Sequence, residues 1–273
     1  MPSPPPIRNP SGATTDPPYG PLAQCGMGNP FFYHQFFDDF DANLTTGIWT
    51  QTKTGNGTSA HNAADGGTAL LTTNSSTPAT SDIVSLQLPA ASFTFTAGKK
   101  SFFLTRLQLS SATNAAFIAG LIQTTTTPFT VTDGLYFYKA TGALNNLQLI
   151  SVVGSTATTL TIPTSAYTLA NSTYIDLGWF VDRNQQVWAF VGSSLVGYVP
   201  QSGTGSVNSA GVSILPPPGA VATMGVSATQ TLYPTSTIWT PTTANLNLTI
   251  AIQSGTAASS TLTTDFIMAS KER

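Results

Sequence analysis

The groups able to do chemistry in this chain are few. Glu272 is its single glutamate and stands next to the C-terminus, so a mechanism built on two glutamates is excluded. His34 and His61 lie too far apart for a helical zinc pair, and neither accompanies a Gly-x-Ser-x-Gly elbow. One cysteine, Cys25, provides neither a disulfide framework nor a thiolate cage. No glycine loop opens a helix to cradle phosphate. Asp38, Asp39 and Asp41 are the tightest carboxylate group, and their oxygens have the chemistry that calcium favours. The simpler expectation is that Asp39 caps a turn while the other two face solvent. No cofactor and no catalytic residue is expected.

Two aromatics are candidates for contact with another molecule. Trp239 and Tyr233 lie in a Pro/Thr-rich loop, where a ring with an apolar face and a polar edge is able to stack on a sugar. The favoured expectation for Trp239 is a loop anchor or a plug against a neighbouring subunit. Trp49, Trp179 and Trp188 fall on strands and are expected in the core. Asp182-Arg183 and Lys99-Lys100 are expected to be polar turns.

Composition narrows the partners. Of 273 residues, 41% are hydrophobic and 10% aromatic, enough to build a core. Only 7% are charged, against roughly 25% in an ordinary soluble protein. The 45 threonines and 27 serines take the surface positions that Lys and Glu normally hold. A net charge of -2 with nine basic residues leaves no stripe for a phosphate backbone, so nucleic acid is not expected. No apolar run of about 18 residues exists to span a bilayer, and no secretory pattern is visible at the N-terminus.

The elements fall into an arm and a body. Nine of the 19 prolines stand in the first 30 residues. Each fixes φ and withholds an amide donor, so this stretch makes neither a helix nor a central strand. Residues 1–34 are expected to be an extended arm that orders only against a surface, since fixing backbone costs roughly 1–2 kcal/mol per residue. Its contact residues are expected to be Pro4, Pro5, Pro6, Ile7, Pro17, Pro18 and Tyr19, then the aromatic anchor Phe31, Phe32 and Tyr33. Residues 35–273 are β-patterned throughout. Strands are predicted near 47–53, 68–73, 82–88, 101–109, 115–123, 134–140, 146–153, 173–181, 186–192, 195–199, 220–228, 246–253 and 262–269. So many short strands without a linker predict a two-sheet antiparallel jelly-roll sandwich, all-β in class. The longer irregular stretches 201–219 and 229–244 read as functional or partner-facing loops.

The segment Phe36-Phe37-Asp38-Asp39-Phe40-Asp41, followed by Trp49 and Thr50, resembles the opening strand of concanavalin A-like lectin/glucanase sandwiches. Thr264-Asp265-Phe266-Ile267-Met268 is similar to their closing strand, and 103–109 and 116–121 to their inner-sheet strands. Tyr174–Trp179, a turn at Asp182-Arg183-Asn184, and Val187–Val191 resemble the paired strands of laminin-G modules. Glucanases of this family carry a Glu-x-Asp-x-x-Glu strand, whose two carboxyls act as nucleophile and acid about 5–5.5 Å apart. Residues 123–133 hold no Glu and one Asp here. The resemblance therefore implies the sandwich without the hydrolase.

A rigid, nearly uncharged sandwich with a proline-rich arm also resembles virion proteins of tailed bacteriophages. The resulting expectation is a capsid decoration, or cement, protein on the virion surface. Its expected partners are the major capsid protein and neighbouring copies of itself, in a homo-oligomer for which a trimer is natural. The alternative is a carbohydrate-binding, lectin-like module of a tail fibre or surface.

Overall fold

A computed structural model of the chain describes residues 7–8, 14–15, 30–41, 44, 47–62, 66–74, 76–142, 147–162, 164, 167, 169–199 and 239–273. These residues form strands in the order β1 (Ile7–Arg8), β2 (Thr14–Thr15), β3 (Tyr33–Asp38), β4 (Thr50–Lys53), β5 (Thr58–Asn62) and β6 (Thr68–Thr72). There follow β7 (Ile83–Gln87), β8 (Ser101–Leu109), β9 (Ala115–Ile122), β10 (Gly134–Lys139), β11 (Leu147–Val153) and β12 (Thr156–Thr161). The last are β13 (Ile175–Val181), β14 (Val187–Val191), β15 (Ser194–Val199), β16 (Asn247–Ser254) and β17 (Thr261–Glu272).

Apart from the two-residue ladder β1–β2, the strands build two antiparallel sheets. One has seven strands in the order β12-β11-β10-β9-β16-β7-β4. The other has eight, β15-β14-β13-β8-β17-β6-β5, with β3 added beside the second half of β17. The all-β jelly-roll sandwich is therefore present. Its core lies between the sheets, where period-2 alternation points Phe117, Phe137 and Ile250 of one sheet toward Phe103, Leu107 and Trp179 of the other. Phe103 stacks on Trp179 at 5.7 Å between centroids.

Five strands go beyond the predicted set, the two-residue β1 and β2 among them. β5 and β12 are edge strands of Thr, Ser and small residues, and an edge strand needs little apolar content to pair. β3 is another: the resemblance implied an opening strand at Phe36–Asp41, and the strand begins at Tyr33, inside the aromatic stretch expected to anchor the arm. The predicted strand at 220–228 lies outside the described residues.

Candidate functional site

The Phe-Asp-Asp-Phe segment closes β3, and the carboxylate at work there is Asp38, not Asp39. Asp38 Oδ1 accepts the amide of Phe40 at 2.8 Å, and Oδ2 accepts the Trp49 indole N–H at 2.6 Å. Both oxygens are thus engaged by the protein itself. Phe40 adopts a left-handed φ of 58° with its side chain fully buried, and its ring meets Trp49 at 5.9 Å. A Cβ at Gly67 would lie 2.4 Å from the Phe40 carbonyl, so that corner tolerates only glycine. Among the described residues no group of three or more His, Cys, Asp or Glu side chains is placed to hold a metal ion.

The Asp182-Arg183 and Lys99-Lys100 turns were expected to be ordinary polar turns, and they are instead knotted together. Asp182 is buried, which raises its carboxyl above the usual range against the opposing hydrogen bonds from the Gln186 amide and the Trp188 indole. Gln185 donates its side-chain amide to the carbonyls of Thr96 and Lys99, while its backbone carbonyl accepts the Trp239 indole at 2.6 Å. Trp239 is only 1% exposed and packs edge-on against Phe95. It is a core anchor, so the sugar-stacking role considered for it is corrected. Burying so large a ring against Phe95 stabilises the sandwich and leaves no ring face for a ligand. Tyr233 lies outside the described residues.

The same knot holds the root of the arm. Arg183 pairs with Glu272, which also accepts the Lys100 amide. The Arg183 hydrogen bond is the main cause holding the Glu272 carboxyl below its usual range. The Arg273 amide donates to the Phe32 carbonyl at 2.7 Å, and β3 runs along β17 from Tyr33 opposite Glu272 to Asp38 opposite Ile267. Phe36 turns inward onto Trp49, and His34 onto Phe93 at 5.0 Å. The His34 Nε2 is buried without a hydrogen-bond partner. Burial first, then the charges of Lys271 and Arg273, push its pKa down. Phe31 and Phe32, the predicted anchor, stand 84% and 63% exposed where the chain enters β3, whereas Tyr33 is partly buried against the Phe102–Trp188 cluster. Of the other arm residues, the backbone of Ile7 pairs with Thr15 in β1–β2. Pro4, Pro5, Pro6, Pro17, Pro18, Tyr19 and Cys25 lie outside the described residues.

The outer face of the seven-stranded sheet is the second surface of interest. Register places Thr50, Gln87, Thr249, Gly120, Tyr136, Ile150 and Thr159 in one row across all seven strands. The next row is Thr52, Ser85, Ala251, Ile118, Tyr138, Gln148 and Thr161. Neither row contains a carboxylate or a histidine. The loop after β9 closes one end, with Thr125 donating to Gln87 and Asn247 donating to Thr124. Phe129 packs against Tyr138 on the same side. Burial pushes the Tyr136 hydroxyl up to about 12, with the nearby Tyr138 adding to it. Lys139 is also fully buried, donating to the Ala115 carbonyl at 2.7 Å, and that burial brings its ammonium down to about 8.

No protein-family model matches the chain, and no curated protein matches its sequence. Solved structures do. A protein of unknown function from Shewanella oneidensis MR-1 superposes with a TM-score of 0.55 at 12% identity, covering 99% of this chain and 97% of that one. An endo-1,3-β-glucanase from Streptomyces sioyaensis gives 0.52 at 13% identity, over 89% of this chain and 98% of that one. An endo-β-1,3-glucanase from Pyrococcus furiosus gives 0.52 at 10% identity, over 87% and 94%. The chain therefore has the concanavalin A-like sandwich fold, and at these identities the likeness concerns fold alone.

Proposed function

We propose that this chain is a non-catalytic virion structural protein that decorates and reinforces a capsid, held in place by its N-terminal arm. The observation that carries the reading is the pair Phe31 and Phe32, left open to solvent where a proline-rich arm meets a rigid sheet. Large apolar side chains exposed side by side mark a surface that meets another molecule. Cleavage of a glycoside needs two carboxyl groups flanking the bond, and the two rows across the seven-stranded sheet offer none. The partners are the major shell protein and neighbouring copies of this chain, on the outside of the virion, with trimers at local three-fold axes as the natural arrangement. A carbohydrate-binding module is the second reading. It is favoured by partly buried Tyr138 and Phe129 beside Gln148 on that acid-free face, and by the sandwich shared with the two glucanases.

Pull-down with empty shells tests the proposal. Full-length chain is expected to be retained, and deletion of residues 2–30 is expected to weaken retention at least about tenfold, the loss of several apolar contacts. Equal retention of both proteins overturns the arm mechanism. A glycan array run with the full chain is expected to be blank; specific signals lost in Tyr138→Ala would install the second reading instead.

A further inference from the structure

We propose that an aromatic strip on the outer face of the eight-stranded sheet is the receiving site for the proline-rich arm of a second copy of this chain. This rests on the decoration reading and names the surface through which neighbouring copies join.

The strip follows from sheet register. Phe103, Leu107, Trp179 and Ile267 fill the core, so the alternating Arg106 and Phe37 face outward, and a register shift in β17 brings Phe266 opposite Arg106. The Phe37 and Phe266 rings lie 6.4 Å apart, and the Arg106 guanidinium sits 4.9 Å from the centre of the Tyr174 ring. Among the described residues five large apolar side chains are exposed; Phe37 at 49% and Tyr174 at 36% belong to this strip, and Phe31 and Phe32 stand just before the strand that carries Phe37. Exposed aromatic side chains gathered in this way are the signature of an interaction surface.

Its chemistry selects the occupant. Rows of aromatic rings bind extended proline-rich segments, because such segments are already stiff and lose little entropy on docking. The chain carries such segments itself, Pro4-Pro5-Pro6-Ile7-Arg8 and Pro17-Pro18-Tyr19-Gly20-Pro21. Arg106 is flanked by Asp176 at 3.6 Å and Asp265 at 3.7 Å, which leaves the strip with one excess negative charge. Arg8 gives the Pro4–Arg8 segment the complementary charge, whereas Asp16, beside Pro17, is the arm's one acidic side chain. Phe37 and Tyr174 expose ring surface that a docking segment would bury. Because β1 pairs back onto β2, the extended reach is that of residues 16–29, on the order of 43 Å at about 3.1 Å each. The eight-stranded sheet is roughly 35–40 Å wide at about 4.8 Å per strand. An arm of that length reaches past its own sheet to a neighbour's.

The test uses full-length chain carrying a photo-crosslinking phenylalanine analogue at position 19, mixed from unlabelled and 15N-labelled preparations. Mass spectrometry is expected to find arm peptides joined to strip peptides of the opposite isotope. Links only within one isotope, links elsewhere on the body, or no links overturn the proposal. Separately, Phe37→Ser with Phe266→Ser is expected to weaken self-association at least about tenfold while moving the melting midpoint by no more than about 2 °C. Unchanged association overturns the proposal, and Phe37→Ser alone repeats the measurement if the double variant fails to fold. If arm deletion abolishes shell capture while the double variant associates like the parent, the decoration reading stands and this surface falls. If strip cross-links form and shells are not captured, the surface stands and the decoration reading falls.

Discussion

At the scale of single residues, Asp38 and Asp182 serve as structural hydrogen-bond acceptors. Asp38 ties the Phe40 amide and the Trp49 indole together, and Asp182 does the same for the Gln186 amide and the Trp188 indole. In each pair a charged acceptor fixes a large ring at the end of a strand, a stronger arrangement than a neutral hydrogen bond. Replacing Asp38 strands a buried indole N–H. Asp38→Ala is therefore expected to cost about 1–3 kcal/mol in urea unfolding, with Asp39→Ala within about 0.5 kcal/mol of the parent. Equal losses at the two positions would contradict the assignment.

At the scale of elements, β3 and the end of β17 form a clasp whose strength depends on pH. His34 is held neutral by burial among Phe93, Lys271 and Arg273, so its folded pKa lies below the ordinary 6.5. The unfolded chain then binds the proton more readily, and the clasp's stability is complete above about pH 6.5 and falls as pH drops below it. Glu272, held low mainly by Arg183, acts in the same direction, its contribution fading only as pH falls through and below the ordinary carboxylate value of 4.5. Between pH 7.5 and 5, hydrogen exchange of the Tyr33–Asp38 amides, corrected for intrinsic rates, is expected to accelerate relative to β9. His34→Phe, which keeps the ring contact with Phe93, is expected to flatten that dependence. Equal pH dependence in both proteins would remove His34 from the clasp.

At the scale of the whole molecule, the sparse charge sets how copies meet. Twenty charged side chains among 273 residues and a net charge of -2 leave little long-range repulsion or steering between copies. Contacts through aromatic rings, prolines and hydroxyls are barely screened, whereas charge-driven contacts weaken as the Debye length shrinks. The self-association constant from sedimentation equilibrium is expected to change by less than about threefold between 50 and 500 mM NaCl. A steep loss with salt would mean that ion pairs, and not the aromatic strip, join the copies.

The sequence by itself determined the two-sheet architecture, because period-2 alternation in 101–109, 134–139 and 246–253 leaves one apolar face per strand and only a second sheet can cover it. It also marked the acid-poor chemistry and the stiffness of the arm, since both follow from residue type alone. It did not reveal that Asp38 outranks Asp39, that Trp239 is a core ring, or that β5 and β12 are strands. Trp239 depends on a distant partner, Gln185; Asp38 and Asp39 are told apart only by which of them the fold turns toward Trp49; and β5 and β12 pair with the adjacent strands β6 and β11, their polar sequences carrying no apolar alternation to mark them. The strip of Phe37, Phe266, Arg106 and Tyr174 likewise exists only after β3, β17, β8 and β13 lie side by side in register. Residue type fixes what a side chain is able to do, and tertiary packing decides which neighbour it does it with.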